Sequence, residues 1–442
     1  MAKQRKHMRR REFVKLAAAT AALPAARYAK ILGANDRVRV GIVGFSDRFR
    51  QALLPAFGKV HQEFNFEIVA VSDLWNRRRD EGVAGIEKVT GAKPRAFRNN
   101  EEMYAAKATD AVMISTPDFA HAPCGVEAMQ AGQDAYIEKP LAHTMENAVA
   151  IRDAVKKAGK IVQVGTQRRS ATNYQTANEF IRSGKFGDIV MAEMTWNVNQ
   201  PGRWRRPQLV ADIKEQDTDW KRFLQNLPYE PWDPRKYLEY RLFWPYSSGI
   251  PDQWMVHQID TVHWFTDLPR PRSVVANGGV YLWKDGRKNW DTATIVFDYG
   301  PLNDPTKGFQ VVYSSRMTNS AGGTKELYYS NAGMLNLDTN EITPTGGLNE
   351  RFAAEMGMKA NQLTPMKLSD LAPAETAADT GADSSTTANV RNWMDCVRTR
   401  KKPNADIEAG YNHAVALCMT VAAIHSGRKV MFDDHRQDVV MS

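Results

Sequence analysis

Five short apolar, β-rich runs, each stopped by glycine or a polar cluster, constrain this chain more than any other feature. They lie at residues 38–43, 67–71, 111–114, 135–137 and 161–164. The first ends at Gly44, the second at Ser72-Asp73, the third at Ser115-Thr116-Pro117, the fourth at Glu138-Lys139-Pro140 and the fifth at Gly165. Helical stretches lie between them, such as 123–130 and 145–157. Short buried strands alternating with helices predict an α/β fold with a parallel, doubly wound sheet. In such a sheet ligands gather just past the carboxyl ends of the strands, where these polar clusters fall.

After Gly165 the pattern changes. Residues 196–246 carry eleven aromatics among many arginines and prolines. Residues 273–280, 292–299 and 310–314 read as strands of a second, open and largely antiparallel sheet, 369–387 as a surface loop, and 390–400 and 407–425 as helices. A length of 442 residues suits two domains. The boundaries fall at 1–30 for a leader, 36–166 for a dinucleotide-binding Rossmann domain and 167–442 for a substrate-binding α/β domain.

The formal charge of +9 suggests nucleic acid until its location is read. Nine of the 59 Lys/Arg and one of the 50 Asp/Glu lie in residues 1–30, leaving 50 basic against 49 acidic residues in the body. The basicity belongs to the leader, so no nucleic-acid partner is expected. The leader itself reads Arg9-Arg10-Arg11-Glu12-Phe13-Val14-Lys15, then a mild apolar run ending at Pro24-Ala25-Ala26. It resembles a twin-arginine signal peptide, which implies the twin-arginine export machinery as a partner and a periplasmic or exported location. No other stretch reads as a membrane span. Cys124, Cys396 and Cys418 are too few and too widely spaced for a disulfide framework, and no metal site is expected.

The turn after the first run is Gly44-Phe45-Ser46-Asp47-Arg48-Phe49, so Ser46 and Phe49 stand where a dinucleotide fingerprint has its second and third glycines. Ser46 is small and offers a hydroxyl; Phe49 predicts looser packing of the following helix. Asp73 ends the second strand 29 residues after Gly44, where a carboxylate can bond the adenosine ribose and so favours NAD. Arg77, Arg78 and Arg79 follow it and suit a 2′-phosphate, which leaves NADP open.

The order of Gly44, Asp73, Ser115-Thr116-Pro117-Asp118-x-x-His121, Glu138-Lys139-Pro140, Gln167-Arg168-Arg169, Arg241-Leu242-Phe243-Trp244 and His257-x-x-Asp260 resembles the Gfo/Idh/MocA oxidoreductases, over roughly residues 36–432. The resemblance implies a Rossmann domain followed by an α/β domain whose open sheet holds the substrate and often a homo-oligomer interface. It implies that Gly44, Ser46, Arg48, Asp73, Thr116, Pro117, His121, Glu138, Lys139, Gln167 and Arg168 bind the cofactor. It implies too that Lys139 touches both substrate and nicotinamide ribose.

Hydride transfer from a carbinol needs a proton acceptor at the alcohol oxygen and positive charge near the developing alkoxide. Lys139 suits both roles, with His257 as a second acid/base group. Members of the family often carry an aspartate four residues before this histidine; here that place holds Gln253, and Asp252 would point elsewhere on a helix. Asp260 can orient His257 or bind a sugar hydroxyl. Aromatic faces also suit sugar C–H surfaces, and Trp204, Trp232, Tyr240, Arg241 and Trp244 are candidates.

The chain therefore reads as an exported NAD(P)-dependent oxidoreductase acting on a sugar, glycoside or cyclitol, with tightly bound cofactor. An NAD-assisted, redox-neutral glycosidase or epimerase is the alternative, and a non-catalytic sugar-binding protein a second. The export reading has its own test. Replacing Arg10 and Arg11 with lysine is expected to hold the protein in the cytoplasm on cell fractionation; normal export of the double variant would refute it.

Overall fold

The apolar runs form a six-stranded parallel sheet: β1 (Val38–Val43), β2 (Phe66–Ser72), β3 (Arg95–Phe97), β4 (Ala111–Ile114), β5 (Asp134–Ile137) and β6 (Val162–Val164), in the order β3-β2-β1-β4-β5-β6. The computed structural model that shows this describes residues 36–358, 360, 362–371 and 384–442. The leader at 1–30 lies outside the described residues, as do 372–383 of the predicted loop; 384–387 instead open the helix Ser384–Thr399. β4 and β5 are buried at every position, as a sheet covered on both faces requires. The strand order reverses between β1 and β4, so a crevice opens at their carboxyl ends.

Phe49 does not loosen the helix after β1. It is fully buried, and the chain enters the helix Leu54–Phe64 through a π turn, Phe49–Leu53. The glycines that make room lie elsewhere: a Cβ on Gly82 or Gly85 would come within 3.2 or 3.1 Å of the Phe45 ring. The expected glycines are thus replaced by an aromatic turn packed on a glycine-bearing helix, Asn76–Thr90.

The second sheet has ten strands: β7 (Ile189–Asn197), β8 (Ser273–Gly279), β9 (Thr292–Tyr299), β10 (Phe309–Arg316), β11 (Thr324–Ser330), β12 (Gly333–Asn336), β13 (Glu341–Thr343), β14 (Met366–Lys367), β15 (Val430–Asp433) and β16 (Asp438–Met441). All its pairings are antiparallel except β7 with β10. Alternate residues such as Ala293, Ile295, Phe297 and Tyr299 are buried, while their neighbours on the other face are not. The helix Ile407–Ser426 is long and apolar enough to cross a membrane, contrary to the sequence reading, but 78% of that stretch is buried against β6 and β8. It is a core helix.

A buried ion pair ties the end of the first sheet to the helix Val256–Thr266. Arg169 grips Asp260 through Nε (2.7 Å) and Nη2 (3.0 Å), and His413 Nδ1 stands 3.6 Å from the same carboxylate. Asp260 is fully buried, and Arg169 beside it holds its carboxyl well below the usual range even against burial. Asp260 therefore neither binds a sugar hydroxyl nor orients His257, as the sequence had suggested; it is a structural counter-charge. Removing one partner of a buried pair leaves the other charge unmatched. Asp260→Asn is expected to lower unfolding free energy by about 3–5 kcal/mol in chemical denaturation, with substrate KM unchanged in the folded protein. Normal stability with a raised KM would return Asp260 to the substrate site.

Candidate active site

Gly44 turns the chain off β1 with φ +83°, and a Cβ there would meet the Ser115 carbonyl oxygen at 3.0 Å. Only glycine lets β1 and β4 end this close together. Asp73 fixes the turn, accepting from Phe45 N–H (2.8 Å) and Trp75 N–H (2.9 Å). Burial pushes its carboxyl up, against those N–H bonds and the charges of Arg78 and Arg79. Ser46 is braced on Ser115, hydroxyl to hydroxyl at 2.5 Å. Of the arginines that left NADP open, Arg77 bonds Glu81, Arg78 bonds Glu81 and Asp47, and Arg79 donates to the Asp73 carbonyl.

A cleft of about 1040 Å³ runs over this turn, lined by Gly44, Ser46, Asp73, Thr116 and Pro117. Its far wall comes from the aromatic, arginine-rich stretch: Arg206, Arg222, Phe223, Tyr237, Tyr240 and Arg241. That stretch is latched to the Rossmann side by Arg222 on Glu101 (2.7 and 2.9 Å), Arg206 on Asp47 (3.3 Å) and the edge of Phe119 on Phe223. Its dominant role is to roof the cleft. Of the proposed sugar-stacking residues only Tyr240 and Arg241 face it. Trp204 packs on Trp254, Trp232 on Trp220, and Trp244 on His143 and His425.

A smaller cavity of about 370 Å³ continues from the cleft and shares Ser46, Ser115, Thr116, Tyr240 and Arg241 with it. Lys139, Glu138, Arg48, Asp118, His121 and Gln253 complete its lining. Glu138 takes Arg48 Nε at 2.8 Å and Lys139 N–H at 3.2 Å. A Cβ on Gly165 would come within 2.9 Å of that carboxylate, so the glycine after β6 makes its room. Lys139 Nζ donates to the carbonyls of Gln253 (2.9 Å) and Asp252 (3.2 Å). Those carbonyls belong to a π turn, Pro251–Met255, a distortion frequent at functional sites. Burial pushes the Lys139 ammonium down to about 8; Asp118 and Glu138 pull it up, Arg241 and Arg48 push it further down.

The remaining predicted residues divide. His121 lines the small cavity, but its ring nitrogens face the carbonyls of Pro140 (2.8 Å) and Thr116 (2.9 Å), so it braces two loops. Arg168 is buried on Glu326 of the second sheet (2.6 Å), over the rings of Tyr174 and Trp196. That is a correction: its charge is matched by a carboxylate of the second sheet, and it lines neither cavity. Gln167 is fully buried and lines neither cavity, and neither of its amide atoms has a partner among the described residues; Thr116 lines both cavities. His257 is buried beside Trp196, its Nδ1 without a partner among the described residues. Burial, then the charges of Lys139, Arg168 and Arg48, push it well below its ordinary value, so its imidazole is neutral. Asp252 does point elsewhere: it pairs with buried His143 (3.1 Å) and takes Ser248 N–H (2.6 Å).

Two residues had no role in the sequence reading. Asp118 accepts from Ser247 Oγ (2.6 Å) and from Gln253 Nε2 (2.5 Å), while Gln253 Oε1 accepts from Arg241 Nε (2.7 Å). The signal for Asp118 was its place inside the Ser-Thr-Pro-Asp motif; for Gln253 there was none beyond the missing aspartate. Among the described residues no group of three His, Cys, Asp or Glu is set for a metal.

The residues present fit a nicotinamide dinucleotide. The glycine turn would take the pyrophosphate and Asp73 the adenosine ribose. The polar edge such a cofactor would meet is the lining of Ser46, Ser115 and Thr116 beside that turn, which the cleft and the small cavity share.

Comparison with known proteins agrees. Residues 38–166 match the Gfo/Idh/MocA group, described as an oxidoreductase family with an NAD-binding Rossmann fold. The chain is 27% identical over 277 residues to inositol 2-dehydrogenase of Rubrobacter xylanophilus, covering 60% of this chain and 62% of that protein. It is 28% identical over 187 residues to a glycosyl hydrolase family 109 protein of a Shewanella strain, covering 38% and 39%. The chain thus matches less than two thirds of the length of either relative. In fold it is similar to the WlbA dehydrogenase of Bordetella pertussis, solved with NADH and UDP-GlcNAcA: TM-score 0.66, 18% identity, 90% of this chain and 98% of that one. Over residues 38–166 the chain is thus similar to the Gfo/Idh/MocA oxidoreductases, and in fold to a solved dehydrogenase of that kind of architecture over most of its length.

Proposed function

We propose that the protein is an NAD-dependent oxidoreductase that removes hydride from a hydroxyl of a sugar, glycoside or cyclitol, with its cofactor held under the roof throughout turnover. The observation that carries this is Lys139, a buried amine with a lowered pKa in the small cavity where the dinucleotide cleft ends. Bound NAD supplies the hydride acceptor. A neutral Lys139 amine has two N–H bonds, and the carbonyls of Asp252 and Gln253 take both. Its lone pair is left to receive the carbinol proton, and the ammonium so formed stabilises negative charge at that oxygen. Arg48 and Glu138 fix the strand end that carries it. His257, buried beside Trp196 and pushed down chiefly by burial, is the second candidate acid/base group.

The inositol dehydrogenase similarity supports a cyclitol or sugar substrate. The glycosyl hydrolase similarity favours a second reading, transient oxidation followed by elimination and re-reduction within one turnover. The roof suits both, because each returns the cofactor to its starting state without release. A twin-arginine leader would carry such a folded, loaded protein outward. The uncovered sheet face, where Val275, Val296 and Val312 stand in one row, is the surface proposed for a homo-oligomer.

Oxidation needs the neutral amine. Its rate is therefore expected to rise about tenfold per pH unit below 8 and to level above it, while carbonyl reduction falls above 8. Lys139→Ala is expected to lower turnover by about 10²–10⁴-fold and to abolish this pH dependence, with NAD binding kept. A flat profile between pH 6 and 9 would remove Lys139 as the proton acceptor.

Cofactor retention is tested on the purified, undialysed protein. Denaturation is expected to release close to one NAD or NADH per chain, and turnover to proceed with none added. An empty protein that needs added NAD and accumulates NADH in step with product would overturn the closed cycle.

A further inference from the structure

Arg241 lies at the seam of the two cavities and lines both. Its Nε is fixed by Gln253 Oε1, and its guanidinium lies 4.5 Å from the centre of the Tyr240 ring. No carboxylate pairs with it among the described residues. Its neighbours add positive charge. Arg203 has Gln200 as its acceptor and the Trp254 ring beside it, its Nε is buried without a partner among the described residues, and burial, then the charges of Arg241 and Arg206, push its own pKa down. Within the small cavity Arg48 and Glu138 neutralise each other, and the Asp118 carboxylate is held by Ser247 and Gln253, which leaves the Arg241 guanidinium beside the Lys139 amine. An unpaired, pre-oriented guanidinium at a cavity wall is suited to a planar or tetrahedral anion.

We infer that the substrate is an anionic sugar, a sugar acid or sugar phosphate, whose anion is bound by Arg241 while its reacting hydroxyl lies at Lys139. Gln253 gives the reason for assigning the anion to the substrate instead of the cofactor. Its side chain holds Arg241 and its main-chain carbonyl holds Lys139 Nζ, so one residue sets the position of both groups at the substrate end. The pyrophosphate end has its own provision in the Gly44–Ser46 turn, with Arg206 over Asp47. Asp118, on the other arm of Gln253, stands ready for a neutral hydroxyl of the same ring.

The inference rests on the oxidoreductase reading for Lys139 but is tested separately from it, by direct binding. Isothermal titration of the NAD-loaded protein with gluconate, glucuronate, galacturonate and glucose 6-phosphate is compared with glucose, galactose and myo-inositol. At least one acid is expected to bind more than tenfold tighter than its neutral counterpart. Carboxylates against phosphate decides which anion is meant. Arg241→Gln is expected to weaken that acid by about 10–100-fold, with NAD affinity and thermal stability within twofold and 2 °C, roughly, of the parent. Arg241→Lys is expected to recover part of the loss, since it restores charge without the fork. Equal binding of acids and neutral sugars would overturn the inference, as would a loss of NAD affinity in Arg241→Gln with acid binding unchanged. Acid binding lost with Arg241 while no sugar is oxidised would instead sustain the anion site and defeat the oxidoreductase reading.

Discussion

The hydrogen bonds from Lys139 Nζ to the carbonyls of Asp252 and Gln253 are the constraint on which the rest of the site depends. Lys139 is carried by the end of a strand of the parallel sheet, and its partners lie more than a hundred residues later, on the turn before the helix Val256–Thr266. Both carbonyls lie in the π turn Pro251–Met255, a local distortion at the entry to the helix Val256–Thr266. The amine is thereby buried, lowered in pKa and aimed by one set of contacts. Its strand end is held from several sides: Glu138 bonds Arg48, His121 bonds the Pro140 carbonyl, and His413 Nε2 accepts the Leu141 N–H at 3.2 Å. His413 in turn stands beside Asp260, so the Arg169–Asp260 pair stiffens the loop it never touches.

This explains which parts of the site were legible in the sequence. Strand ends declare themselves, because an apolar run must stop where backbone meets solvent or ligand; Gly44, Asp73, Thr116, Glu138 and Lys139 all fall at such ends and all line the cleft or its extension. Motif order located them without any knowledge of the second domain. The same motif order misled for Arg168 and Asp260. Their spacing from Gln167 and His257 was visible, but whether a buried charge faces a ligand or another charge depends on what lies opposite. For Arg168 that is Glu326, and for Asp260 it is Arg169. Each partner is about ninety residues or more distant in sequence.

The roof was illegible for a related reason. Aromatics, arginines and prolines in residues 196–246 mark a segment with no period of its own, and composition alone suggested sugar stacking. Five of its eleven aromatics, Trp220, Phe223, Trp232, Tyr237 and Tyr246, pack on one another. What faces the cleft is chiefly the edge of that cluster and its arginines. Such a segment is shaped by what it covers. Its latches, Arg222 on Glu101 and Arg206 on Asp47, are partly exposed ion pairs of modest strength singly, and their arrangement on opposite sides of the cleft matters more than their energy.

Gln253 then becomes intelligible as more than a missing carboxylate. It stands between a guanidinium and a carboxylate, accepting from Arg241 and donating to Asp118. Its amide has both a donor and an acceptor end, which a carboxylate lacks. An aspartate in its place would be too short to span the two and would set a second negative charge against Asp118, raising one of the two carboxyl pKa values. It would also neutralise Arg241 and draw the Lys139 ammonium back toward its ordinary value, because a nearby negative charge favours the protonated amine. The amide avoids all three effects. It keeps Arg241 charged and available, keeps Asp118 oriented, and through its main-chain carbonyl keeps Lys139 in place. Under the proposed mechanism the proton acceptor is then Lys139, lowered chiefly by burial with Asp118 and Glu138 opposing it, in a site where Gln253 stands in the place of an aspartate.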